Sequence, residues 1–214
     1  MSVDKGIFVI GDVHGCAHSL ELLLEKIPSG SEVYTTGDLI DRGPHSRRVL
    51  SICIERGIRA VMGNHEHMLL DYLDAGGLYG NGVFIRNGGL ETLSNYKGRI
   101  DAVHLEYIRS MPLYIETEHF ILSHAGVGVM QTLESACRLE EDGDINILWN
   151  RGSLADVGKL QLIGHCPVKA PQEYYVKESL AGVNIDTGCV FPHFGTLTAM
   201  CIPDMSFIRV ECKD

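Results

Sequence analysis

Ile7-Phe8-Val9-Ile10 is an uninterrupted apolar run, too short for a helix and continuous enough for a strand buried on both faces. Leu20, Leu23, Leu24 and Ile27 then recur at helical spacing, and Pro28 with Gly30 ends that helix. Val33 to Thr36 reads as a second strand. Val49, Leu50, Cys53 and Ile54 mark a second helix closed by Gly57, a residue suited to the left-handed position after a helix. Arg59 to Met62 is a third short strand, with a helix after it carried by Leu69, Tyr72 and Leu73. Strand, helix, strand, helix, strand with short connections predicts parallel pairing in βαβ units.

The second half changes character. Ile100, Val103, His104, Tyr107, Ile108 and Met111 form one amphipathic helix, and Leu113–Glu116 with His119–Ser123 reads as a hairpin. Leu160–Ile163, Val183–Ile185, Leu197–Ile202 and Phe207–Glu211 are further strands, the last two joined by a Pro203-Asp204 turn. The Gly-rich stretch Gly76–Gly89 reads as a loop, in which Tyr79, Asn81 and Phe84 are candidates for a substrate entrance or for packing. The expected architecture is α/β, two packed mixed β-sheets flanked by helices, in one domain over residues 1–214.

Composition narrows the function classes. Hydrophobic residues make up 45% and charged residues 21%, a globular balance able to bury a sizeable core. The net charge of -10 disfavours a nucleic-acid partner, whose phosphates select basic surfaces. No apolar run is long enough to span a membrane, and the N-terminus carries no signal-peptide pattern, so a cytoplasmic protein is expected. The seven cysteines form no CxxC pair and read as reduced core residues.

The chemistry lies at the ends of the apolar runs. IFVIG ends in Asp12, with His14 two residues on, and VYTTG ends in Asp38, followed by Asp41 and Arg42. AVMG is followed by Asn64-His65, FILS by His124, and LQLIG by His165. Each fragment alone is ordinary turn or helix-capping chemistry. Together, five strand ends presenting Asp, His and Asn point to one site in the crevice at the carboxyl edge of a sheet.

GDVHG, GDLIDRG and GNHE resemble the signature of the metal-dependent phosphoprotein phosphatases, with SHAG, WNR and GHCP standing where that family places later site residues. Length and the IDTG near the C-terminus are most similar to its compact bacterial and phage branch. The resemblance implies two divalent ions, Mn²⁺ first and Fe²⁺ or Zn²⁺ as alternatives. Asp12, His14 and Asp38 would hold one ion and Asp38, Asn64, His124 and His165 the other, with Asp38 bridging. His65 would be the general acid oriented by Asp41, while Arg42 and Arg151, with Asn64 beside them, would bind the phosphate. Mixed N and O donors suit borderline ions, and guanidinium groups grip phosphate oxygens bidentately.

The implied activity is a serine/threonine protein phosphatase, acting also on phosphotyrosine, in which a hydroxide bridging the two ions attacks a phosphate monoester. Its partner would be a phosphorylated protein or peptide, without membrane, nucleic acid or regulatory subunit. A dinucleoside tetraphosphate hydrolase on the same site is the nearest alternative, set second because such relatives are usually longer. A non-catalytic metal- or phosphate-binding module is the alternative of another class, disfavoured by the intact Asp41-His65 pair. GSLADVGKL fails as a P-loop on spacing and on Leu160, and Gln172 stands where a cysteine phosphatase would need arginine. His18, His45, His67, His104, His119 and His193 carry no assignment and are expected on helix faces or the surface.

Overall fold

The computed structural model describes residues 6–74, 81–139, 146–202 and 204–214. In chain order the first half consists of β1 (Ile7–Ile10), α1 (Ala17–Lys26), β2 (Glu32–Thr35), α2 (Ser46–Arg56), β3 (Arg59–Ala60) and α3 (Asn64–Leu73). A helical segment follows, made of α4 (Asn81–Phe84), a π-helical turn (Ile85–Gly89) and α5 (Leu90–Asn95), and then α6 (Ala102–Arg109). The second half holds β4 (Tyr114–Glu116), β5 (Phe120–Ser123), α7 (Leu133–Ala136), β6 (Leu160–Ile163), β7 (Gln172–Val176), β8 (Ser179–Asn184), β9 (Thr196–Ile202) and β10 (Phe207–Glu211).

These strands make two five-stranded sheets, ordered β10-β9-β1-β2-β3 and β4-β5-β6-β8-β7. In the first, β1, β2 and β3 are parallel, and β9 and β10 close the edge antiparallel. In the second, β5, β6 and β8 are parallel, with β4 and β7 antiparallel at the two edges. Both sheets are mixed, and helices flank them as expected.

The apolar run of β1 divides between two cores by the period-two alternation of a strand. Val9 faces the opposite sheet, in a core with Tyr34, Phe120, Leu122, Leu162, Val183, Ile185 and Met200. Phe8 and Ile10 face the helices, in a core with Leu20, Leu23, Val49, Leu50 and Met68. Each fully buried side chain of this size contributes about 1.5–3 kcal/mol. Burial on both faces explains why the central strands carry no polar alternation.

Two expectations change. Residues 81–89, expected within the loop Gly76–Gly89, are helical and run on into α5. Their break is Gly88, whose φ of 101° kinks the segment, and Gly82 and Gly89 are absorbed within helical turns. Phe84 is buried and tilts against Tyr72 at 5.2 Å, a packing role, while Tyr79 and residues 75–80 lie outside the described residues. Pro203 also lies outside them; Cys201 N donates to Ser206 O between β9 and β10. The edge strand β7 was not expected, because Glu173 and Tyr175 face solvent and leave no apolar run to read.

Candidate metal centre

Parallel pairing brings the carboxyl ends of β1, β2 and β3, and of β5, β6 and β8, toward one crevice. Asp12, His14, Asp38, Asp41, Asn64, His65 and His124 are all buried there, and His165 is half-buried. Arg42 is half-buried and Arg151 is exposed.

Asp38 stands at the centre. Its Oδ1 accepts the backbone N–H of His65 at 3.0 Å, which aims Oδ2 into the crevice. That Oδ2 lies 3.4 Å from His14 Nε2, 3.5 Å from His124 Nε2 and 3.8 Å from His65 Nε2. Two overlapping groups share it: His14, Asp38 and His65 offer ligand atoms within 4.8 Å of one another, and so do Asp12, Asp38 and His124. One oxygen reaching both groups is the arrangement a bridging carboxylate needs.

The donor set itself calls for a cation. His14 Nδ1 donates to the Ile40 carbonyl at 2.9 Å and His124 Nδ1 to the Thr36 carbonyl at 2.8 Å, so each ring presents a bare Nε2 inward. His124 Nε2 then faces Asn64 Oδ1 at 2.8 Å and His165 Nδ1 at 3.1 Å, and His165 Nδ1 faces the same Asn64 oxygen at 3.1 Å. Donor atoms from three separate segments thus converge on one point, and the Nε2 atoms of His65 and His165 are buried there without a hydrogen-bond partner among the described residues. The residues fit two divalent ions.

Burial acts on every charged form. It pushes the Asp12 carboxyl well above its usual range, helped by Asp186 and Asp38, and it raises Asp38, with Glu66 adding to the effect. It lowers His124 to about 4 and His165 to about 2, the latter also through the charges of His124 and Arg151. Neutral imidazoles are the form that ligates metals.

His65 is held differently. Its Nδ1 donates to Asp41 Oδ2 at 2.7 Å, leaving Nε2 buried without a hydrogen-bond partner among the described residues. Asp41 is fixed in turn by Thr92, whose hydroxyl donates to Oδ1 at 2.6 Å and accepts the Asp41 N–H at 2.9 Å. Burial lowers the His65 imidazole and raises the Asp41 carboxyl. The hydrogen bond from Nδ1 to Asp41 fixes the orientation of the His65 ring, with Nε2 turned into the crevice.

Arg42 Nη1 contacts His14 Nε2, and its guanidinium lies 5.1 Å from the centre of the Phe191 ring. Arg151 sits close enough to His165 and Cys166 for its charge to act on both. The two arginines thus approach the crevice from different sheets.

Supporting residues explain how the loops hold this shape. His14, Asp38, Asp41, Arg42 and His165 all have positive φ, from 45° to 71°. Such conformations cost roughly 1–3 kcal/mol each and persist only where the surroundings impose them. Glu66 imposes one: its buried carboxylate accepts the N–H groups of Asp38 at 2.8 Å, Leu39 at 2.7 Å, Ile40 at 3.3 Å and Gly63 at 3.1 Å. Thr36 donates to Asp12 Oδ1 at 2.7 Å, and a Cβ at Gly164 would collide with that same oxygen. Sequence reasoning assigned no role to Glu66, Thr36, Thr92 or Asp186. Asp186 follows β8, is buried beside Asp12, and is raised to about 6 by burial. Its signal was present, since Val183–Ile185 followed by an acid repeats the pattern of the other strand ends.

The sequence profile of the calcineurin-like phosphoesterases matches residues 6–190. The chain belongs to this family. Membership makes it a metallophosphoesterase and implies divalent metal ions. A bis(5'-nucleosyl)-tetraphosphatase PrpE (asymmetrical) of Bacillus velezensis is 30% identical over 239 residues, covering 95% of this chain and 91% of that protein. A symmetrical bis(5'-nucleosyl)-tetraphosphatase of Ralstonia nicotianae is 37% identical over 123 residues, covering 55% of this chain and 41% of that one. Among solved structures, a cold-active protein-tyrosine phosphatase from a psychrophilic Shewanella superposes with a TM-score of 0.67 at 17% identity, over 97% of this chain and 78% of that one. That likeness speaks for the fold alone.

Proposed function

We propose that the protein is an asymmetrical bis(5'-nucleosyl)-tetraphosphatase, which cleaves a dinucleoside tetraphosphate into a nucleoside triphosphate and a nucleoside monophosphate. The observation that carries this reading is the resemblance to the Bacillus velezensis enzyme along nearly the whole of both chains. Length does not set this activity second, because 91% of that relative is covered. The match to the symmetrical enzyme of Ralstonia nicotianae takes in only 55% of this chain, which favours asymmetrical cleavage.

Two divalent ions, Mn²⁺ in this proposal, would supply Lewis-acid activation of water and neutralise phosphate charge. Asp12, His14 and Asp38 would hold one, and Asp38, Asn64, His124 and His165 the other. Arg42 and Arg151 bind the oxygens of the attacked phosphate, and Asn64 adds an amide beside them. His65 presents Nε2 toward the departing oxygen, with its Nδ1 tied to Asp41. A departing nucleoside polyphosphate is a far better leaving group than an alkoxide, so the proton from His65 matters less here than in monoester hydrolysis.

A serine/threonine protein phosphatase is the second reading, favoured by one feature. The buried, oriented Asp41-His65 pair is machinery that a poor leaving group requires. The experiment is a kcat/KM comparison with Mn²⁺ present, using diadenosine tetraphosphate against phosphoserine, phosphothreonine and phosphotyrosine peptides. The expected outcome is preferred turnover of diadenosine tetraphosphate to ATP and AMP. Peptides turned over faster would overturn it in favour of the protein phosphatase, and two molecules of ADP would overturn the asymmetrical cleavage.

A further inference from the structure

Cys16, Cys189 and Cys212 come from three separate parts of the chain and meet at one point. Cys16 immediately precedes α1, Cys189 follows the turn that begins at Asp186, and Cys212 directly follows β10. Their sulfur atoms all lie within 4.8 Å of one another. Cys16 and Cys189 are 1% and 2% exposed, and Cys212 is half-buried.

The backbone around them is tied down. Cys212 N donates to the Gly195 carbonyl at 2.8 Å, and Lys213 N donates to Ser19 Oγ at 3.0 Å. The Asp214 carboxylate accepts the N–H groups of His18 at 2.9 Å and Ser19 at 3.0 Å, and the Ser19 hydroxyl at 2.6 Å. The last residues are thus laid along the first turn of α1, which holds Cys212 against Cys16. On the other side, the Gly188 carbonyl accepts Phe191 N at 2.9 Å and Gly195 N at 3.1 Å, shaping the turn that presents Cys189.

Thiols are weak hydrogen-bond partners, and apolar packing alone gives no reason for three sulfurs to face each other. A tetrahedral Zn²⁺ with sulfurs at about 2.3 Å places them about 3.8 Å apart, so the three need close by no more than about 1 Å. We infer that Cys16, Cys189 and Cys212 form a third cation site, a tris-thiolate site for Zn²⁺ separate from the N,O-liganded centre. The Asp214 carboxylate lies near enough for its charge to act on Cys16 and Cys189, and the fourth position is left to solvent. The N-terminal end of the ten-residue α1 faces the excess negative charge with its positive dipole end. Zinc binding releases the thiol protons to solvent and forms Zn–S bonds without any redox step.

The site would act as a clasp. It joins the end of the chain to the loop carrying His14, whose carbonyl accepts the Cys16 thiol at 3.6 Å, and to the segment following Asp186. It does not depend on which phosphate ester the enzyme cleaves.

Cobalt substitution tests it, because thiolate-to-Co²⁺ charge transfer absorbs in the near ultraviolet and an all-N,O centre lacks that band. Reduced full-length protein titrated with Co²⁺ should develop the band, and Zn²⁺ should bleach it. Cys212→Ser should lower its intensity by about one third, one sulfur in three. Cys166→Ser, beside His165, should leave it unchanged. No band in the wild-type protein overturns the site, as does a band that survives Cys212→Ser intact but vanishes in Cys166→Ser. Should Cys212→Ser not fold, alkylation of the native wild-type protein decides: Zn²⁺ must protect these three cysteines and a chelator must expose them. Equal labelling with and without Zn²⁺, or a disulfide between two of them in the reduced preparation, overturns the inference.

Discussion

Asp38 Oδ2 and His124 Nε2 lie 3.5 Å apart, although Asp38 follows β2 of one sheet and His124 follows β5 of the other. The centre therefore exists only when the two sheets are docked. Any ion held by both residues ties the sheets together, so ion binding and global stability are linked.

Mn²⁺ at about one hundred times its Kd should stabilise the wild-type protein by roughly 2.7 kcal/mol for a single site, read as a rise in Tm. Asp38→Asn should abolish that rise. In chelator-treated protein the same substitution should raise Tm, because it removes a carboxylate that burial and Glu66 disfavour. The sign of the mutational effect thus reverses with the metal. A variant that still gains stability from Mn²⁺ and retains full metal occupancy would refute the bridging position of Asp38.

His65→Asn separates the two readings of the activity. On a phosphoserine peptide the loss in kcat should be about 10²–10⁴-fold, the usual contribution of a general acid. On diadenosine tetraphosphate the loss should be at least tenfold smaller, on the order of one Brønsted-sensitive step removed. Metal content should be unchanged in the variant, as elemental analysis can check. Equal losses on both substrates would remove the acid role from His65.

The sheets and the donor set were legible for a common reason. β1, β5 and β6 are largely sealed on both faces, as is the second half of β2, so their apolar positions stand out, and the residues ending them are those the crevice receives. The supporting layer was less legible. Thr92 holds Asp41 across 51 positions of sequence, from the short helix that follows the stretch read as loop. Gly88 is instead the kink that lets its carbonyl accept the Arg42 N–H at 3.3 Å. Glu66 stood within a quoted motif, yet its four backbone partners come from chain geometry that spacing does not reveal. Three cysteines far apart in sequence likewise carried no pairing signal, though their sulfurs converge.

Glu66→Gln tests this backbone clamp. Gln keeps the size but replaces one acceptor oxygen with an NH₂ group, which must face backbone N–H donors of the Asp38–Ile40 turn or Gly63. A hydrogen bond to a charged acceptor is worth about 1.5–3 kcal/mol, so denaturant unfolding should show a loss of at least about 2 kcal/mol. A change below about 0.5 kcal/mol, the range of an ordinary surface substitution, would mean that the turn holds its positive φ angles without Glu66.

Thr92→Val should act on orientation rather than on metal binding. The substitution removes the hydroxyl that both donates to Asp41 Oδ1 and accepts its N–H, although Ser46 Oγ still accepts that N–H at 3.1 Å. Metal occupancy should persist, and kcat on a phosphomonoester should fall about tenfold, equivalent to roughly 1.4 kcal/mol of lost positioning. Thr92→Ser, which keeps the hydroxyl, should recover most of the activity. Failure of Ser to do so would show that packing, not the hydrogen bond, is what Thr92 supplies.

Phe191 bears on how Arg42 meets the substrate. The ring lies 5.1 Å from the guanidinium carbon and 6.4 Å from the His14 ring, so it backs the arginine while touching the rim of the centre. A cation–π contact of this kind is worth about 0.5–2 kcal/mol, which corresponds to roughly 2–30-fold in binding. Phe191→Ala should therefore raise KM for diadenosine tetraphosphate within that range, because Arg42 gains rotamer freedom that binding must then remove. The effect on kcat should be smaller, since the ring's contacts are with Arg42, His14 and Phe194. A variant with unchanged KM and a collapsed kcat would place Phe191 behind His14 instead, as a wall for the metal ligand.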